Sequence, residues 1–227
     1  MRHFLCISDS LGLPRPGIMY SDTWISMLRQ CHPDIEFISD FHRNATTDIL
    51  SEWDYGEHLL FYKPDSIILQ LGICDCAPRY IRSKSLLYKI LNNIPQKIAS
   101  FLWIIIKFFR ARNIKYADVL PDKFEKNILT YLEKCAECNV KQIIVVKIAR
   151  PTEVMLKANP SINNAINVYN NILDRIPQYY SFVQIIDPLN KPEEEYYTND
   201  GYHPSCKGNQ KIAFDISNLI RVEIIDE

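Results

Sequence analysis

Five short β-rich runs alternate along this chain with longer segments of helical period. The runs are residues 3 to 8, 34 to 39 ("DIEFIS"), 65 to 71 ("DSIILQL"), 140 to 148 ("VKQIIVVKI") and 182 to 187 ("FVQIID"). Three of them are nearly continuous apolar runs, the pattern of strands buried on both faces. The spacing of apolar residues predicts helices at about 20 to 31, 45 to 52, 84 to 111, 121 to 138, 161 to 177 and 205 to 221. Such alternation implies an α/β protein with a mostly parallel five-stranded sheet covered on both faces, a three-layer αβα sandwich.

In open sheets of this kind ligands meet the carboxyl ends of the strands. Those ends carry Asp9 and Ser10 after the first run, "FHRNATT" after the second, "GICDCAPR" after the third, "ARPTE" after the fourth and "NDGYHPS" after the fifth. Polar chemistry therefore converges on one edge.

Composition narrows the function classes. A chain of 227 residues suffices for one large domain, expected to span 1–227 with a basic helical insertion at about 80–118. A formal net charge of −1 gives no global attraction to polyanions, so no nucleic-acid partner is expected. Seven cysteines, an odd number, and an amino terminus without an apolar signal segment suggest reduced thiols and a cytoplasmic setting. Cys135 with Cys138, and Cys74 with Cys76, lack a second ligand pair, so buried thiols rather than a metal site are expected.

The chain has no GxSxG elbow, GxxxxGK[ST] loop or GxGxxG turn. What remains is Ser10 at the end of the first strand, and Asp200 three residues before His203. A serine hydroxyl is a poor nucleophile until a base takes its proton. A histidine base in turn needs a carboxylate to fix its tautomer. Each piece also has an ordinary reading: Ser8, Asp9 and Ser10 as a hydrogen-bonded turn, Asp200-Gly201 as a turn dipeptide, His203-Pro204 as a helix start.

Together, "ISDSLG", "LGICD" and "NDGYHPSCKGNQKIA" resemble, in order, three blocks of the SGNH, or GDSL-type, hydrolase family, whose patterns run GDS, GxND and DxxH. The resemblance implies a flavodoxin-like αβα sandwich. It further implies Ser10 as nucleophile, His203 as general base and Asp200 as its orienting carboxylate, with Asp9 bracing the nucleophile loop. The chain departs from the family pattern in three places. The first-block Gly is Ser8, the Gly of the oxyanion block aligns with Asn44, and the third-block Asn aligns with Cys74. A thiol is a weak donor, so the oxyanion and substrate-binding set implied here is Gly72, Cys74 and Asp75, supplemented by the Asn44 amide and the Arg79 cation.

Between the third strand and the helix near 121 the chain turns basic. From Arg79 to Lys115 there are nine basic residues and no acidic one. Leu87, Ile90, Leu91, Ile94, Ile98, Phe101, Leu102 and Ile105 recur at helical spacing, and Pro95 is expected to divide the segment into two helices. Three roles fit: an ordinary layer helix, a lid over the cleft, or a peripheral membrane contact through 82–112, at the inner face of the membrane. The apolar run "FLWIIIKFF" is too short to span a bilayer.

The expectation drawn from these residues is a serine esterase acting on an O-acyl ester of a carbohydrate or glycolipid precursor, without a cofactor. The alternatives are an O-acyltransferase on the same machinery, or a catalytically weak glycan-binding or assembly module. A link to bacterial surface polysaccharide synthesis is suggested by "GICDCAPR", which resembles a subset of SGNH-like proteins.

Overall fold

The computed structural model describes residues 1–51, 53–83, 85–109 and 112–220. Parts of three predicted helices, at 52, 84, 110, 111 and 221, lie outside the described residues, and with them Lys84 and Arg110 of the basic segment.

All five expected strands form: β1 (Arg2–Ser8), β2 (Ile35–Phe41), β3 (Ser66–Gln70), β4 (Gln142–Val146) and β5 (Val183–Ile186). They build one sheet in the order β2-β1-β3-β4-β5, every neighbouring pair parallel. This is the flavodoxin-like order, whose switch point lies between β1 and β3.

Ten helices connect and cover the strands among the described residues: α1 (Trp24–Cys31), α2 (Asp48–Ser51), α3 (Trp53–Tyr62), α4 (Ile73–Cys76), α5 (Leu86–Asn93), α6 (Gln96–Phe109), α7 (Pro121–Glu137), α8 (Glu153–Ala158), α9 (Ile162–Arg175) and α10 (Cys206–Ser217). Local chemistry sets several boundaries. Proline occupies the first turn of α7, where its missing N–H costs nothing. The Ser205 hydroxyl caps α10 by accepting from Gly208 N. Pro95 separates α5 from α6, as its missing donor requires.

The strand period of two splits the core into layers. Leu5, Ile7, Ile67, Leu69, Ile143 and Val145 pack with Leu50 of α2, Leu59 of α3, Phe124, Ile128, Tyr131 and Leu132 of α7, and Ile166, Tyr169 and Leu173 of α9. Phe4, Cys6, Ile68, Ile144 and Val146 point the other way, onto Trp24, Ile25 and Leu28 of α1 and Ile212 and Ile216 of α10. Each such aliphatic side chain, fully buried, contributes about 1.5–3 kcal/mol. Near-continuous apolar strands are thus explained by helices on both faces.

Three helices differ from the sequence reading. The segment predicted at 45–52 gives α2 and is followed by α3, where Gly56 breaks the apolar pattern. Both α4 and α8 lie in segments read as loops after strands; at four and six residues they are too short for periodicity to register.

Candidate active site

The residues after β1 and β3 meet at the switch point. Ser8 ends β1 with its hydroxyl donating to Gln70 Oε1 at 2.9 Å, and Trp24 Nε1 donates to the same oxygen at 2.9 Å. A tight turn follows, Ser10–Gly12, capped by Asp9, whose Oδ1 accepts from Leu11 N at 2.8 Å. Capping by the preceding carboxyl is what aims Ser10 out of the sheet edge.

The Ser10 hydroxyl lies 3.1 Å from His203 Nε2, and His203 Nδ1 lies 2.6 Å from Asp200 Oδ2. Asp200 is itself fixed: its Oδ1 accepts from the amides of Tyr202 and His203 at 3.1 and 3.0 Å and from the Thr198 hydroxyl at 3.0 Å. The turn that allows this carries Gly201 at φ 78°, the left-handed region that favours glycine. Residues 193 positions apart in sequence therefore form one hydrogen-bonded chain, serine to imidazole to carboxylate.

The electrostatics suit proton transfer. Burial pushes the Asp200 carboxyl up, yet the hydrogen bonds from His203 and Tyr202 outweigh it and hold the group below its usual range. For His203, burial and the nearby Arg15 and Arg43 cations outweigh the Asp200 attraction and lower the imidazole below its ordinary value. The ring is therefore neutral near pH 7, the state that accepts a proton.

Asn44 and Cys74 line the same cleft as Ser10, Asp200 and Tyr202. Asn44 has φ 61°, a conformation ordinarily given to glycine and tolerated by asparagine. Cys74 sits in the first turn of α4, its thiol beside the Asp9 carboxyl, and burial raises its pKa well above the ordinary value. Gly72 precedes it with φ 127°, and a Cβ there would lie 2.7 Å from Ile148 Cδ1. Only glycine fits between β3 and the Ile148 side chain without displacement.

The other expected site residues take different places. Asp75 is fully buried beneath the cleft, its Oδ1 accepting from Thr47 N at 2.8 Å and the Thr47 hydroxyl at 2.6 Å. Arg79 lines the cleft with its guanidinium paired to Asp118 at 2.8 Å, so its charge is already matched. His42, just beyond β2, pairs with Asp40 at 2.7 Å.

The structure also adds residues that sequence reasoning passed over. Arg15 donates to the Ser10 carbonyl at 2.6 Å and sits 3.9 Å from Asp200 Oδ2, tying the Ser10 turn to Asp200. Its only sequence signal is its position in "LPRPG". Tyr202 stacks on the His203 ring with centroids 3.9 Å apart. Trp103, Ile104 and Lys107 of α6 and Tyr88 of α5 form a wall of the cleft, whose volume is about 810 Å³. The basic segment thus borders the cleft that Ser10 opens into.

No family model matches the chain, and no curated protein matches it by sequence. Solved structures do match over nearly the whole length. A lipase/acylhydrolase from Enterococcus faecalis aligns at 15% identity, covering 96% of this chain and 96% of its own, with a TM-score of 0.63. A putative lipolytic protein of the G-D-S-L family from Desulfitobacterium hafniense aligns at 16% identity and TM-score 0.61, covering 96% and 98%. An acetyl xylan esterase aligns at 17% identity and TM-score 0.64, covering 96% and 100%. With its parallel β2-β1-β3-β4-β5 sheet, this chain has the fold of the SGNH, or GDSL-type, hydrolases.

Proposed function

We propose that this chain is a serine esterase of the SGNH type, with Ser10 as nucleophile, His203 as general base and Asp200 as the orienting carboxylate. The observation that carries the reading is the continuous hydrogen-bonded chain from Ser10 through His203 to Asp200 at the carboxyl edge of the sheet. In the first step Ser10 Oγ attacks the acyl carbonyl carbon as its proton passes to His203 Nε2. The carbonyl electrons move onto oxygen, and Asn44, which lines the cleft with Ser10, is the donor proposed to receive that charge. The intermediate then expels the alcohol, which takes the proton from His203, and leaves Ser10 acylated. Water, deprotonated by His203, attacks the acyl-enzyme and releases the acid.

The substrate we infer is an O-acyl group on a carbohydrate or glycolipid precursor. The cleft is walled by the rings of Tyr80, Tyr88, Trp103 and Tyr202, with apolar Ile73, Ile81 and Met155 among them. Mostly apolar walls with a few polar groups are the usual make-up of a small-molecule site. The likeness to an acetyl xylan esterase supports an acylated sugar. An acyltransferase would use the same first step, with a sugar hydroxyl replacing water in the second.

A fluorophosphonate probe tests the assignment. Covalent labelling of the wild type, absent after Ser10→Ala and after heat denaturation, is the expected result. A folded wild-type protein that takes up no probe sinks the esterase reading.

A specific observation favours a catalytically weak module as the second reading: Cys74 stands where the resemblance places an amide donor, and its thiol is a weak donor. Cys74→Asn distinguishes the two. If the position belongs to the oxyanion hole, the variant is expected to keep or raise kcat toward a short acyl ester, by up to about 100-fold, the worth of one good donor. A folded variant with lower kcat shows that the thiol is not a substitute for that amide.

A further inference from the structure

Helix α6 is apolar on two faces, and the protein covers only one. Ala99, Leu102, Trp103 and Ile106 form the half-buried face, and Tyr88 of α5 packs edge-on against Trp103 with centroids 6.2 Å apart. On the outer side Ile98, Phe101, Ile105, Phe108 and Phe109 are 53, 62, 37, 79 and 77% exposed. None of the residues of α6 is fully buried. Beside it α5 leaves Leu86 74% exposed and Ile90 48% exposed. Contiguous exposed apolar surface of this kind marks an interaction site.

The charge around it selects the partner. Lys89, Lys97 and Lys107 project from the same hairpin into solvent, and between Arg79 and Lys115 the sequence holds no acidic residue. A large apolar face on a hairpin whose charged residues are all cations is complementary to an anionic lipid surface. It is too short to cross one: no helix among the described residues is long and apolar enough to span a membrane.

We propose that the α5–α6 hairpin docks this protein on an anionic bilayer, with Phe101, Phe108 and Phe109 entering the acyl-chain boundary and Lys89 and Lys97 meeting the headgroups. Trp103, Ile104 and Lys107 line the cleft from the same helix, so docking places the cleft mouth against the lipid surface. A substrate carried on a lipid then enters without leaving the membrane. The proposal concerns the surface alone and stands apart from the esterase reading.

Vesicle flotation tests it. The wild type is expected to float with phosphatidylcholine vesicles containing about 30% phosphatidylglycerol, and much less with phosphatidylcholine alone. Phe101→Ser/Phe108→Ser is expected to lower the apparent affinity by about 100-fold, because these rings supply the apolar anchor. Lys89→Gln/Lys97→Gln is expected to remove most of the salt sensitivity and leave the residual apolar binding. Both pairs are exposed, and thermal unfolding verifies that the variants are folded. Ser10→Ala is expected to float as the wild type does, so loss of the esterase reading leaves this result intact. A wild type that does not float, or a phenylalanine variant that floats unchanged, overturns the proposal. So does a dimer that the same variant dissociates in the absence of vesicle binding, since the apolar face is then covered by a second copy.

Discussion

Replacement of His203 by Gln is expected to lower kcat/KM toward a short acyl ester by about 10⁴-fold or more, with the fold retained. Glutamine preserves bulk at a position only 7% exposed but cannot take the Ser10 proton. The wild-type pH profile gives an independent check. Below its pKa the imidazolium has no lone pair for the serine proton, so activity falls as pH decreases. Burial, Arg15 and Arg43 together lower that pKa, so the acidic limb is expected below the ordinary histidine value of about 6.5. Arg15→Gln removes one of the cations and is expected to move the limb upward. A limb well above 7 in the wild type contradicts the electrostatics described for the site, and unchanged activity in His203→Gln ends the assignment of the base.

The fold was legible because its dominant signal is local. The apolar centres of runs such as "SIILQ" and "QIIVV" put aliphatic side chains on both faces, and that pattern survives only where helices cover both sides of a sheet. The relation of Ser10 to Asp200 and His203 was legible for a related reason. Both segments follow strands, and parallel strands deliver their carboxyl ends to one edge. Arg15 was not legible, because an arginine between two prolines has no chemistry until the turn places it against the Ser10 carbonyl and Asp200. Nor was the fate of Arg79, whose pairing depends on Asp118, 39 residues away and beyond the α5–α6 hairpin. Periodicity showed that residues 84–111 carry an apolar stripe; it could not show that α6 would present a second apolar face to solvent.

The second large effect concerns stability and pH. Asp9 and Asp75 are buried behind the nucleophile turn, and burial pushes each carboxyl up to about 7, more than hydrogen bonds from Leu11 and Thr47 pull it down. In both, Oδ1 accepts hydrogen bonds and the carboxyl is buried away from water, where the ionised form is costly. In the unfolded chain such groups titrate near 3.9. Between about pH 4 and pH 7 these two carboxyls therefore hold more protons in the native state than in the unfolded one, and their contribution to stability falls as pH rises through that window, opposed by His203, whose lowered pKa acts with the opposite sign. Asp9→Asn removes one of the two ionisations while its amide oxygen can still accept from Leu11 N. The variant is expected to lose less stability than the wild type between about pH 5 and pH 8, by on the order of 2 kcal/mol, read from urea unfolding at the two pH values. If the wild type is instead more stable at the higher pH and the variant abolishes that gain, Asp9 is ionised in the native protein and the nucleophile turn is braced by a charge rather than by a neutral acid.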